Sequence, residues 1–172
     1  MNYDGTTADE PAVGESYQGG IIAYIFVSGD PGYDANVQHG LIAATTDQST
    51  GIRWYNGTYE LTGSTSTALG AGSGNTDAII NAQGATETSY AAGLARAHNG
   101  GAYNDWYLPS KDELNKLYLN RVAVGGFASA FYWSSTEYNT NLAWTSYFGN
   151  DNQYQPNDYK LYTYYVRAVR AF

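Results

Sequence analysis

The residues best suited to chemistry are the tyrosines and asparagines near the end of the chain, and the chemistry they suit is contact. Seven of the eighteen tyrosines lie between Tyr138 and Tyr165, with Asn139, Asn141, Asn150, Asn152 and Asn157 among them, and only Asp151, Asp158 and Lys160 carry formal charge there. Tyrosine supplies a large amphipathic surface at low rotamer cost, and asparagine supplies adaptable donors and acceptors; antibody loops use the same alphabet. The expected function is recognition.

Catalytic residue types are sparse by comparison. His39 and His98 are the only histidines, neither stands in a motif beside a nucleophile, and the absence of cysteine removes thiol nucleophiles, thiolate metal sites and disulfides. The carboxylates are many and scattered, which leaves acid–base chemistry open on sequence alone. Gly70-Ala71-Gly72-Ser73-Gly74 is rich in glycine but lacks the Gly-Lys-Ser/Thr ending and the preceding apolar strand of a phosphate loop. The chain is therefore read as a non-enzyme without a cofactor.

A chain of 172 residues with 43% apolar content suits one domain with one core. A net charge of −8 works against phosphate backbones and anionic lipid, so nucleic acid is not an expected partner. Nowhere do about eighteen apolar residues run together, and no membrane insertion by this chain is expected. Met1 to Val13 is polar and acidic, without the charged and apolar regions of a signal peptide. A protein working outside the cell needs a leader from elsewhere.

Residues 1–15 read as a flexible segment, and 16–172 as a single domain. Strands are expected at Gly20 to Val27, Gly40 to Ala44, Gly51 to Tyr55, Phe131 to Ser135, Ala143 to Phe148 and Tyr164 to Phe172. Thr62 to Asn75, rich in Gly, Ser and Thr, reads as a long surface loop. Asn75 is the expected cap of a helix holding Ala78, Ile79 and Ile80; Gly84 breaks it, and Thr88 to His98 continues the helical pattern until Gly100 and Gly101. The strongest local signal is Ser110 with Glu113, a capping box opening a helix in which Leu114, Leu117 and Tyr118 share a face. Alternation through Ala143 to Phe148 directs Trp144, Ser146 and Phe148 inward and leaves Ala143, Thr145 and Tyr147 outside. Tyr132, Trp133 and Tyr165 read as core. Arg167 and Arg170 cannot both face outward from a regular strand, so at least one is expected inside, paired with a carboxylate such as Glu137 or Asp105.

Several motifs together carry a family resemblance. They are Gly19-Gly20-Ile21-Ile22, Asp47-Gln48-Ser49-Thr50-Gly51, Asn104-Asp105-Trp106-Tyr107-Leu108-Pro109-Ser110-Lys111-Asp112-Glu113-Leu114, Tyr132-Trp133-Ser134-Ser135-Thr136-Glu137, Ala143-Trp144 and Val166-Arg167-Ala168-Val169-Arg170-Ala171-Phe172. In this order they resemble the variable proteins of diversity-generating retroelements, and the related lectin-like domains of bacterial adhesins share part of the set. The likeness spans roughly Val13 to Phe172.

The resemblance implies an α+β, C-type-lectin-like fold with two main helices, a small mostly antiparallel sheet and long loops. It also implies a hypervariable ligand-binding region at about 138–164, displayed extracellularly on a bacterial surface or a phage particle. Matched to the family pattern, the diversified ligand-binding positions are Tyr138, Asn139, Asn141, Leu142, Thr145, Tyr147, Asn150, Asp151, Tyr154, Pro156, Asn157, Tyr159, Tyr162 and Tyr164. Trp144, Phe148, Gly149, Gln153 and Lys160 are the interleaved scaffold. The implied ligand is a protein or a surface glycan. A calcium-independent carbohydrate-binding adhesin is the alternative: the Glu-Pro-Asn and Gln-Pro-Asp triplets of calcium-dependent lectins are absent, and Gln155-Pro156-Asn157 has no carboxylate in first place. An enzyme related to formylglycine-generating enzymes is the remaining alternative, weakened by the lack of cysteine.

Overall fold

The computed structural model describes residues 10–84 and 88–172, and most of the expected flexible stretch, residues 1–9, lies outside the described residues. The end of that stretch is fastened rather than loose. Gly14 N–H donates to the Ile22 carbonyl and Ile22 N–H donates to the Glu15 carbonyl. From there β1 (Ser16–Tyr17), β2 (Gly20–Ile25) and β3 (Gly40–Ala43) form successive antiparallel neighbours.

The expected single small sheet is two sheets among the described residues. The first has the order β1-β2-β3-β9, and the second β4-β8-β5-β6-β7. Their strands are β4 (Ser49–Ile52), β5 (Phe131–Glu137), β6 (Leu142–Tyr147), β7 (Asn157–Tyr159), β8 (Tyr164–Val166) and β9 (Val169–Ala171). All pairings are antiparallel except β5 with β8. The division falls inside the C-terminal run, which reads as one strand in sequence. At Arg167 and Ala168 the chain leaves one sheet for the other because side chains from elsewhere claim its polar groups. Arg167 pairs with Asp47 at 2.7 Å and donates to the carbonyls of Ala44 and Gly126, while Ala168 N–H donates to the Gln48 side chain. Arg170 then grips both oxygens of Asp105, at 2.7 and 2.9 Å. Both arginines are buried and paired, Arg170 with the anticipated Asp105 and Arg167 with Asp47, which was not anticipated, while Glu137 pairs with Lys160 instead.

Four α-helices lie among the described residues: α1 (Gly72–Gln83), α2 (Ala91–Arg96), α3 (Lys111–Leu119) and α4 (Arg121–Val124). The first starts earlier than the Asn75 cap predicts. Asn75 lies buried inside α1 and its amide donates to the Ser66 carbonyl, while Gly72 takes the close approach to Glu113 and Tyr107 that any Cβ would obstruct. Gly84, at φ 81°, ends the helix as expected.

The capping box is formed as predicted. Ser110 Oγ accepts from Glu113 N–H at 3.3 Å, and Ser110 N–H donates to Glu113 Oε2 at 2.8 Å. Glu113 is fully buried and also accepts from Gly70 N–H and the Tyr107 hydroxyl, so it fastens the preceding loop as well as starting α3. Burial pushes its carboxyl above the ordinary range, against the pull of these hydrogen bonds. The segment from Thr62 is thus no free surface loop. Glu137 accepts from the N–H groups of Thr62 and Gly63, and Thr136 Oγ1 donates to the Ser66 carbonyl.

Two apolar clusters draw on both sheets. Ile22, Ile42, Trp54, Ile79, Trp106, Trp133 and Val166 form one, and Leu114, Leu117, Tyr118, Tyr132, Phe148 and Val169 form the other under α3. None of the helices among the described residues is long and apolar enough to cross a membrane.

Candidate ligand-binding surface

Strand β6 sets the geometry of the tyrosine-rich segment, and its two faces differ from the alternation expected. Ala143 and Thr145, anticipated outside, are fully buried, with Thr145 Oγ1 donating to the Pro156 carbonyl. Trp144, anticipated in the core, is only half-buried and belongs to neither apolar cluster. Phe148 points inward as expected. The reason is that β6 is an inner strand, flanked by β5 and β7 and packed against α3, so period-2 alternation no longer separates wet from dry.

One face of the second sheet carries an aromatic surface centred on Phe131. Register places Phe131 opposite Tyr147, their ring centroids 4.9 Å apart. Tyr147 and Tyr154 meet in an isolated antiparallel bridge, which brings the Tyr154 ring within 6.3 Å of Phe131. From β8, Tyr164 lies 5.2 Å from Phe131 and 4.8 Å from Trp133. The turn between β7 and β8 continues the series, Tyr162 standing 6.1 Å from Tyr164 and 5.8 Å from Tyr159. Tyr154, Tyr159 and Tyr162 remain exposed, at 55%, 48% and 43%.

Asp158 is the carboxylate within this surface. It accepts from the Tyr164 hydroxyl at 2.6 Å and from Tyr159 N–H at 3.0 Å. Burial, then the bond to Asp158, raises the Tyr164 phenol well above its ordinary value, so it stays a donor at all physiological pH. A second tyrosine pair, Tyr55 stacked on Tyr59 at 4.7 Å, borders the same surface. Desolvation and the hydroxyls of Tyr55, Tyr159 and Tyr162 raise the Tyr59 phenol.

The other expected positions separate by place. Tyr138 stands edge-on to Trp144 at 5.4 Å, and the Lys111 ammonium lies 3.4 Å from the Trp144 centroid. Leu142 and Asn157 flank this second patch, Asn157 opposite Trp144 in register and Leu142 opposite Tyr159. Asn139 serves the β5–β6 turn, its side-chain oxygen accepting from the N–H groups of Asn141 and Leu142, while Asn141 is exposed at the tip. Asn150 and Asp151 sit by α3 and α4, where the Asn150 carbonyl accepts from the Tyr118 hydroxyl and Asp151 pairs with Arg121. Pro156 contributes its carbonyl to Thr145. Thus Tyr147, Tyr154, Tyr159, Tyr162 and Tyr164 converge, Tyr138 belongs to a neighbouring patch, and Thr145 faces the interior. Phe131, Tyr59 and Asp158 are members that the sequence reading missed; pairing Phe131 against Tyr147 across the β5–β6 hairpin was the available signal.

The two histidines are engaged structurally. His39 Nδ1 lies 3.0 Å from the Phe172 carbonyl, and His98 packs edge-on to Trp106, where burial lowers its pKa. No group of three or more His, Asp or Glu side chains able to hold a metal ion occurs among the described residues. A cleft of about 430 Å³ is lined by Phe26, Leu41, Leu69, Asp105 and Tyr107 and includes none of the converging tyrosines.

Residues 43–170 match the family model of the Lcl C-terminal domain, and the chain belongs to that family. Comparison with curated proteins finds no match.

Proposed function

We propose that this member of the Lcl C-terminal domain family is a ligand-binding display domain with a C-type-lectin-like fold, whose tyrosine surface recognises a protein or other cell-surface ligand. The observation that supports it most is convergence. Tyr147, Tyr154 and Tyr164 meet around Phe131 from two strands and a loop, Tyr162 and Tyr159 extend the series, and of the five only Tyr164 also packs against an apolar cluster. Exposed aromatic rings over a rigid sheet are the anchors that interfaces use. The domain acts outside the cell, on a bacterial surface or a phage particle, with no catalytic step and no nucleic-acid partner. Its tyrosine and asparagine positions differ between sister copies as products of a diversity-generating retroelement. Carbohydrate stacking on the same rings, without calcium, is the second reading, favoured by the exposure of Tyr154 and Tyr162.

Two measurements test this. A panel of purified bacterial surface proteins and a glycan array are probed with the domain and with a Tyr147→Ala/Tyr154→Ala/Tyr162→Ala variant. Ligands of the tyrosine surface are lost by the variant, and equal retention by both proteins overturns the reading. The genomic origin is tested by the neighbouring DNA: a near-copy of the Tyr138–Phe172 coding region beside a reverse transcriptase gene, differing only at adenines, is expected.

A further inference from the structure

All eight lysines and arginines of the chain lie among the described residues, and all but Arg53 are closely held by a partner from the chain itself. Arg96, Arg121, Lys160, Arg167 and Arg170 are ion-paired with Asp77, Asp151, Glu137, Asp47 and Asp105. Lys111 lies over Trp144, and Lys116 lies 4.2 Å from the Tyr24 centroid. Arg53, the most loosely held, lies 5.9 Å from the Tyr55 ring at the border of the tyrosine surface. An approaching ligand therefore meets electron-rich ring faces and the Asp158 carboxylate, in a molecule of net charge −8, with Arg53 the cation at the border among the described residues.

We infer that the tyrosine surface around Phe131 and Asp158 selects a positively charged protein segment, one presenting arginine or lysine side chains. This rests on the tyrosine surface being the binding face and names the chemistry of its partner. A guanidinium or ammonium is attracted to the face of an aromatic ring. The ligand guanidinium stacks on Tyr154 or Tyr162 and reaches toward Asp158, whose carboxylate already holds the Tyr164 hydroxyl and keeps spare acceptor capacity. An anionic partner finds Arg53 alone at the border and meets repulsion from the net charge of −8. The domain uses the same chemistry internally, as Arg170 over Tyr103 at 4.0 Å and Arg121 over Tyr118 at 4.4 Å show.

The test is a titration of isotope-labelled domain followed by amide chemical shifts, using a tetra-arginine peptide, its tetra-citrulline counterpart of the same shape without charge, and tetra-glutamate. The expected result is salt-sensitive shifts at Tyr147, Tyr154, Asp158, Tyr159 and Tyr162 with arginine alone. Asp158→Asn should weaken the response at least threefold while its amide spectrum elsewhere stays that of the folded parent. Equal response to citrulline at the same residues removes the preference for charge and leaves the binding face standing. Shifts that fall only outside the tyrosine surface overturn the inference and the binding face together.

Discussion

Glu137 and Lys160 meet at 2.6 Å with both side chains closed off from water, Lys160 also lying 4.5 Å from the Trp54 ring centroid. The pair joins the loop at Thr62 to the turn that carries Tyr159 and Tyr162, so it supports the tyrosine surface from below. Removing one partner strands the other charge in the interior. Lys160→Met is expected to cost about 3 to 5 kcal/mol in urea unfolding, and adding Glu137→Gln to it should recover part of that loss. A single-variant cost under about 1 kcal/mol would sink the reading.

Gly72 and Gly74 occupy the first turn of the same helix and should respond to alanine with opposite signs. A Cβ at Gly72 runs into the Glu113 carboxylate, the Tyr107 ring and the Ser110 backbone; one at Gly74 meets nothing within 4 Å. Gly74→Ala should stabilise by about 0.5 to 1 kcal/mol through helix propensity. Gly72→Ala should destabilise despite the same propensity gain. Thermal melts decide it, and stabilisation by both would show that α1 can move away from Glu113.

Asp105 links stability to acid pH. Its hydrogen bonds to Arg170 hold the carboxyl below the ordinary 3.8, partial burial opposing. A folded-state value below the unfolded one contributes stability above 3.8, and that contribution is lost as pH falls through the lower folded value. Asp105→Asn should therefore lose less melting temperature than the parent between about pH 5 and pH 2. Parallel curves for the two proteins would refute the link.

At the binding face, Tyr154→Ala and Tyr162→Ala should each weaken ligand binding by roughly 2 kcal/mol or more while leaving stability within about 0.5 kcal/mol. Trp144→Ala, on the neighbouring patch, should cost less than the roughly 3 kcal/mol lower bound for a core ring. Calorimetric binding and denaturant unfolding on the three variants separate these outcomes. A large stability loss at Trp144 would return that ring to the core.

The Ser110 cap should matter for folding alone. Ser110→Ala is expected to cost about 1 kcal/mol and to leave ligand affinity unchanged. Lost binding at full stability would mean that the cap also shapes the binding face.

What was readable in the sequence follows the range of the interactions concerned. The capping box lies within four residues, and Ser110 and Glu113 adopt the predicted bonds. Phe131 and the tyrosines that meet on it needed a strand register, which no single segment carries. Asn75 has the chemistry of a cap, yet the start of α1 is decided by the approach of Glu113, far along the chain. The sides of β6 were misjudged because alternation presumes one wet face, and α3 covers what that rule leaves open. The split after Val166 depends on Asp47 and Gln48, which lie far earlier in sequence than the strand they divide.

The segment under the tyrosine surface is tied by main-chain bonds. Thr145 N–H donates to the Pro156 carbonyl, Tyr147 N–H to the Tyr154 carbonyl, and Lys160 N–H to the Asn141 carbonyl. Such bonds are indifferent to what each side chain is, with a single exception. Proline alone lacks the donor, and Pro156 stands at a place where only its carbonyl is used. A combinatorial library at Tyr147, Tyr154, Tyr159 and Tyr162 should then admit nearly every amino acid among its folded members, with proline depleted at Tyr147, Tyr159 and Tyr162, whose N–H groups donate. The domain behaves as a lattice that can be re-lettered without being re-folded.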